Sequence, residues 1–185
     1  MRNFKENKNI SVHAVAGSYV VMLCMDATAK GVKGLLGFAI HRTDHTENEA
    51  YWLKGFLTFE ETDEGRDAGE PANILENPVQ DFQWGDYTAK PGHKYTYKIV
   101  PVYGKPKNLI EGNAVKVSVK TESEEDGIND IYFNRGVAGS QAYVRKFGNK
   151  NPEDVPDRAA YVWLSRGLEE ALLAFIEQGK AKVGG

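Results

Sequence analysis

The sequence predicts a mainly β fold followed by C-terminal helices. Three observations carry that expectation. "NAVKVSVKTE" alternates, with Val115, Val117 and Val119 on one face and Lys116, Ser118 and Lys120 on the other, the period of a half-buried strand. "KPGHKYTYKIVPV" opens on a Pro-Gly turn and continues with Tyr95, Tyr97 and Ile99 at every second position. After about Thr121 the pattern turns helical and ends in "RAAYVWLSRGLEEALLAFIEQ".

The elements follow in chain order. "SYVVMLCMDA" is a short apolar run with β-branched and sulfur-bearing residues, which fits a buried strand better than a helix. "GLLGFAIHRTD" places Leu36, Phe38 and Ile40 on one face of a second strand, with Arg42 at its end. "YWLKGFLTFEE" predicts a third, carrying Trp52, Leu53, Phe56, Leu57 and Phe59. "TDEGRDAGEPANILENP", rich in Gly, Pro, Asp and Asn, reads as a long loop. In the turn before the tyrosines, Pro91 presets φ and Gly92 supplies the positive φ that type II requires next. Pro101 cannot donate to a ladder, so a bulge or a strand end is expected near it.

The acidic stretch "TESEEDG" marks a solvated linker over residues 122–127, between a β domain over 8–121 and a helical segment over 128–185. "VAGSQAYVRKFG" predicts a short helix ended by Gly148. Asp157 is placed as the N-cap of the long helix. At 100° per residue, Tyr161, Leu164, Leu168, Leu172 and Phe175 form one stripe, widened by Ala171 and Ile176. Val162 and Leu173 extend the apolar arc to about 200°, with Trp163 on the polar side. An arc that wide implies cover on two sides. Tyr161, Trp163, Leu168, Leu172, Phe175 and Ile176 are therefore candidate partner contacts; the alternative is a helix folded wholly onto its own chain.

Composition bounds the function. With 185 residues, 41% hydrophobic and 26% charged, the chain sits in the globular range. The formal net charge of −3 provides no global field to recruit nucleic acid or anionic lipid. No segment approaches a membrane span, "MRNFKENKNI" lacks a signal-peptide core, and the lone Cys24 forms no internal disulfide. The expectation is a cytoplasmic chain without a cofactor.

Chemistry is sparse. His41, Asp44 and His45 are the candidate metal ligands, yet on an extended strand the two histidines stand about 13 Å apart, and a polar strand end is the plainer reading. The acids of "FEETDEGRD" and "ESEEDG" read as solvated rather than paired in a dry cleft. "GVKGLLG" lacks the context of a phosphate loop, and Ser140 lacks the glycines of a nucleophile elbow. In "KYTYK" the tyrosines take one face and the lysines the other, so these residues do not build a stacking platform.

"KPGHKYTYKIVPV", "GLLGFAIHR" and "NAVKVSVKTE" together resemble a fibronectin type III or immunoglobulin-like sandwich. The resemblance implies that Tyr95 is a tyrosine-corner residue behind the Pro91-Gly92 turn. The strand "SYVVMLCMDA" lacks the tryptophan many members carry there, and Trp84 is a substitute from another strand. "DIYFNRGVAGSQAYVRKFG" followed by "YVWLSRGLEEALLAFIEQ" resembles the region before the first catalytic motif of bacterial phospholipase D-like proteins. That resemblance implies an accessory portion of a phosphodiesterase (a hydrolase), whose chemistry rests on H-x-K-x(4)-D. None of His13, His41, His45 and His93 has lysine two places on, so no catalytic residue carries over. The implied partner is a missing C-terminal catalytic domain, or a second copy docked through the last helix. A free-standing β-sandwich interaction module and a metal-dependent enzyme are the alternatives.

Overall fold

A computed structural model describes residues 1–66, 70–125, 127–135 and 141–183. The chain divides into two compact units, Met1–Ser123 and Glu124–Gly185. In chain order the first carries β1 (Arg2–Glu6), β2 (Ile10–Ala16), β3 (Val21–Ala27), β4 (Leu35–Asp44), β5 (Glu49–Trp52), β6 (Lys54–Gly55), β7 (Ala72–Asn73), β8 (Gln83–Asp86), β9 (Lys94–Lys105), β10 (Asn108–Glu111) and β11 (Val115–Lys120). The second carries α1 (Gln141–Phe147), α2 (Ala159–Ser165) and α3 (Leu168–Val183). The fold is mainly β with C-terminal helices.

Two antiparallel sheets share one core. The first has the order β1-β2-β3-β8; the second runs β10-β9-β4-β5, with β11 also on β9. Val12 and Ala14 of β2, Leu23 of β3, Phe38 and Ile40 of β4, Tyr95, Tyr97 and Ile99 of β9, and Val117 of β11 are all buried in a single cluster. The alternation read in "KYTYKI" and "VKVSVK" is thus the alternation of core and outer face. Trp84, opposite Leu23 in the β3–β8 ladder, packs partly buried against that core.

β9 is the central strand. It pairs along one side with β4, and along the other with β11 up to Ile99 and with β10 from Val102. Pro101 therefore does not end the strand. Phe38 exchanges both backbone hydrogen bonds with Val79, so its pairing with Pro101 is the non-hydrogen-bonded kind. The proline nitrogen then points into the gap between β11 and β10, where no donor is needed. The bulge lies on the partner strand, between Leu35 and Gly37.

Other boundaries differ from the sequence reading. β1 lies outside the expected start at residue 8, and its polar, mostly exposed residues pair with β2. The third predicted strand breaks after Trp52: Leu53 donates to Ile40 O, and Phe56 and Leu57 stand exposed. The loop beyond contains β7, which pairs with β6, and the buried Ile74 and Asn77. In the predicted linker, Glu122 N–H donates to Gly17 O, and Ile131 N–H donates to Glu124 O.

Among the described residues, three α-helices stand where two were expected. α1 ends as predicted, with Gly148 at φ 69° donating its N–H to Val144 O. Its start, with Ser140, lies outside the described residues. The long helix is broken at Arg166 (φ 51°) and Gly167 (φ 82°), so the stripe from Tyr161 to Phe175 is not one face of one helix. Asp157 (φ 57°) lies in a 3-10 turn, and Arg158 takes the cap position without a side-chain cap bond. Trp163 is not free for a partner: its ring meets Tyr143 at 6.0 Å and Phe147 at 5.8 Å, and Arg135 lies over it. No helix of the described residues is long and apolar enough to cross a membrane.

Candidate functional site

Two charged side chains of β4 point inward. β4 sends Arg42 and Asp44 toward the core side, where they are 4% and 2% exposed. Arg42 donates from Nη1 to Asp86 Oδ2 (2.9 Å) and Thr88 Oγ1 (2.7 Å), and from Nη2 to the Tyr51 hydroxyl. Tyr97 donates to the same Asp86 oxygen at 2.8 Å, and Thr88 N and Oγ1 donate to the other. Burial by itself would lower the Arg42 pKa, but the bond to Asp86 and its charge outweigh it and raise it. Burial, then the neighbouring Asp86 charge, pushes Tyr97 far up. This network holds its protons and forms a structural clamp between the sheets.

The predicted metal ligands diverge. Asp44 accepts from His93 Nδ1 at 2.8 Å, and its other oxygen accepts from Thr46 N–H and Glu47 N–H. Burial opposes ionisation of Asp44, but these bonds prevail and lower its pKa. His41 and His45 lie on the opposite face of the sheet. The ligand atoms that do approach one another, within 4.8 Å, belong to Asp44, Glu47 and His93. Each is already engaged, since both Glu47 oxygens hold Lys90 Nζ at 2.5 Å. Pro91 and Gly92 (φ 71°) form the turn beside them, and the buried Tyr95 hydroxyl accepts from Lys90 N–H at 2.9 Å.

The outer face of the second sheet is different. Register places Trp52 of β5, His41 of β4, Lys98 of β9 and Lys116 of β11 side by side in one row across four strands. Two residues along, Ala50, Thr43, Thr96 and Ser118 make a second row. Two further, Lys94 faces Lys120, and His45 N–H donates to Lys94 O. The face forms an open groove of about 450 Å³. His45 Nε2 lies 2.7 Å from Thr96 Oγ1, which lies 2.8 Å from Ser118 Oγ.

Two lysine pairs thus stand directly opposed across β9 and β11, an arrangement that destabilises a sheet by roughly 0.2–1 kcal/mol per pair relative to neutral residues. Among the described residues, no carboxylate lies within ion-pair distance of Lys94, Lys98, Lys116 or Lys120. The potential is felt at His41, whose pKa is lowered first by burial and then by Lys98 and Lys116. Lys98 Nζ sits 5.5 Å from the Trp52 ring centroid and the His41 ring meets Trp52 edge-on at 5.1 Å.

Sequence reasoning found the lysines of this face but not their neighbour. Tyr95 and Tyr97 face the core, as parity required, yet Trp52 reaches the lysine side from another strand. The signal was local parity plus strand register, and only the first can be read from one segment.

In the second unit, an open groove of about 920 Å³ is lined by Ile131, Tyr132, Leu168, Leu172 and Phe175. On α3, Leu172, Phe175 and Ile176 are 59%, 75% and 48% exposed, whereas Leu168 is half-buried; on α2, Tyr161 is 40% exposed. No protein-family model matches the sequence and no curated protein matches it, so the phospholipase D-like resemblance rests on the quoted helical motifs alone.

Proposed function

We propose that this chain is a non-catalytic binding module on a fibronectin type III or immunoglobulin-like sandwich, and that its outer sheet face takes an anionic ligand. The strand order β1-β2-β3-β8 facing β5-β4-β9-β11, and the Tyr95 hydroxyl bond to the Lys90 backbone, support the sandwich reading. The row Trp52–His41–Lys98–Lys116 carries the ligand reading. Cations set opposite one another lower fold stability, and an anion between them reverses the sign of that interaction. An accessory role beside a phospholipase D-like catalytic domain is a narrower form of the proposal and rests on the helical motifs.

Titration with inorganic tripolyphosphate, followed by amide NMR shifts, tests the reading. The expected shifts centre on Lys98, Lys116 and Thr96, and Lys98→Glu with Lys116→Glu weakens binding at least about tenfold, the equivalent of one charge-assisted contact. A bound anion raises the depressed His41 pKa, so protons are taken up on binding. Affinity therefore rises as pH falls below the ordinary histidine range of about 6.5. Shifts centred elsewhere, or affinity indifferent to both lysines, would refute the assignment.

A second reading, an interaction module that docks through its last helix, is favoured by the exposed Leu172, Phe175 and Ile176. Large apolar side chains of this kind gain about 1.5–3 kcal/mol each on burial. Light scattering should then show association that Phe175→Asp abolishes; a monomer at high concentration removes this reading.

A further inference from the structure

We propose that the β5–β4–β9–β11 face binds single-stranded nucleic acid, with one base stacked on Trp52 and backbone phosphates laid across the two lysine rows. The inference rests on the reading of this face as an anion-binding surface and names the ligand it takes.

Spacing is the first argument. The Lys98–Lys116 pair and the Lys94–Lys120 pair are four residues apart along β9 and β11. Four residues of strand span about 13 Å. A single small anion reaches one pair; an extended ligand with repeating charges reaches both. Between them lie the hydroxyls of Thr43, Thr96 and Ser118, neutral groups suited to phosphate and sugar oxygens.

Trp52 is the second. It stands in register with the cations on their own face, and its ring lies under the Lys98 ammonium. A phosphate that takes Lys98 draws the ammonium off the ring and leaves a π surface for a base. In a duplex the base faces are already stacked inside the helix, and a sulfated polysaccharide has none. Dependence on Trp52 therefore separates a single strand from both.

Charge distribution is the third. The net charge of −3 hides a segregation: between Lys90 and Lys120 stand seven lysines and one acid, Glu111. Between Asp44 and Asp86 stand twelve acids and two basic residues, Lys54 and Arg66. The exclusion of nucleic acid from global charge does not extend to a face built from β9 and β11.

Fluorescence anisotropy of a labelled oligothymidylate of roughly 15 nucleotides, the upper range of a single-domain site, tests this on the full chain. Binding should weaken with salt, and Lys98→Gln and Lys116→Gln should each flatten the log–log salt slope by about 0.7. Trp52→Leu should weaken oligonucleotide binding between about fivefold and a hundredfold, the range for one lost stacked base, and Trp52→Phe should restore part of it. Backbone amide shifts across β4, β9 and β11 that match those of the parent chain report that the face is still folded in both Trp52 variants. Three results overturn the assignment: no oligonucleotide binding while tripolyphosphate binds, equal affinity for a duplex, or heparin bound in preference with no Trp52 dependence. The anion-binding reading survives these three, and falls with the assignment if tripolyphosphate also fails to bind.

Discussion

Replacing Arg42 with alanine should destabilise the first unit by about 3–5 kcal/mol, the range for removing one partner of a buried ion pair. Asp86 is 3% exposed and would keep its charge with only Tyr97 and Thr88 to answer it. The Tyr51 hydroxyl and the Tyr95 ring, over which the guanidinium lies at 5.3 Å, would lose their contact as well. Chemical denaturation at neutral pH measures the loss. The double variant Arg42→Ala with Asp86→Ala should be less destabilised than the sum of the two single variants, because the orphaned charge is gone. A loss under about 1 kcal/mol for Arg42→Ala would mean that the clamp contributes packing and not electrostatics.

Gly37→Ala should be of similar size for a different reason. A Cβ there would lie 2.2 Å from Val79 O and 2.9 Å from Val79 C, backbone atoms that cannot turn aside. Val79 is tied to Phe38, one residue along, by two hydrogen bonds of 2.9 Å, and its side chain is 7% exposed. Relief requires breaking that bridge, so overpacking of about 1–3 kcal/mol is joined by lost hydrogen bonds of about 1 kcal/mol each. Gly34→Ala is the control. It has positive φ (74°) but nothing within 4 Å, so it should lose only the left-handed penalty of about 1–2 kcal/mol. A denaturation series that ranks Gly34→Ala above Gly37→Ala would show that the segment around Val79 yields easily.

Elements whose pattern is local were legible. β9 and β11 alternate because one face meets the core, and α1 stops where Gly148 can take positive φ. β1 and β10 were not legible, because edge strands that bury little carry little periodicity; β1 has no buried residue and β10 none. The break after Ser165 was also hidden: glycine inside a helical pattern costs only about 1 kcal/mol, so Gly167 by itself does not announce a turn. The wide apolar arc inferred for one helix belongs to two, and Trp163 serves α1.

By itself the sequence determined that this protein is mainly β with helices after it, which face of β9 and of β11 is buried, and that lysines line the other face of those two strands. Hydrophobic alternation is a property of one segment, and one segment is enough to read it. The tertiary structure alone decided that Asp44 meets His93, and that Trp52, His41, Lys98 and Lys116 stand in one row. The row joins residues 64 positions apart, because strand register is set by the packing of the whole core and not by any neighbour in the chain.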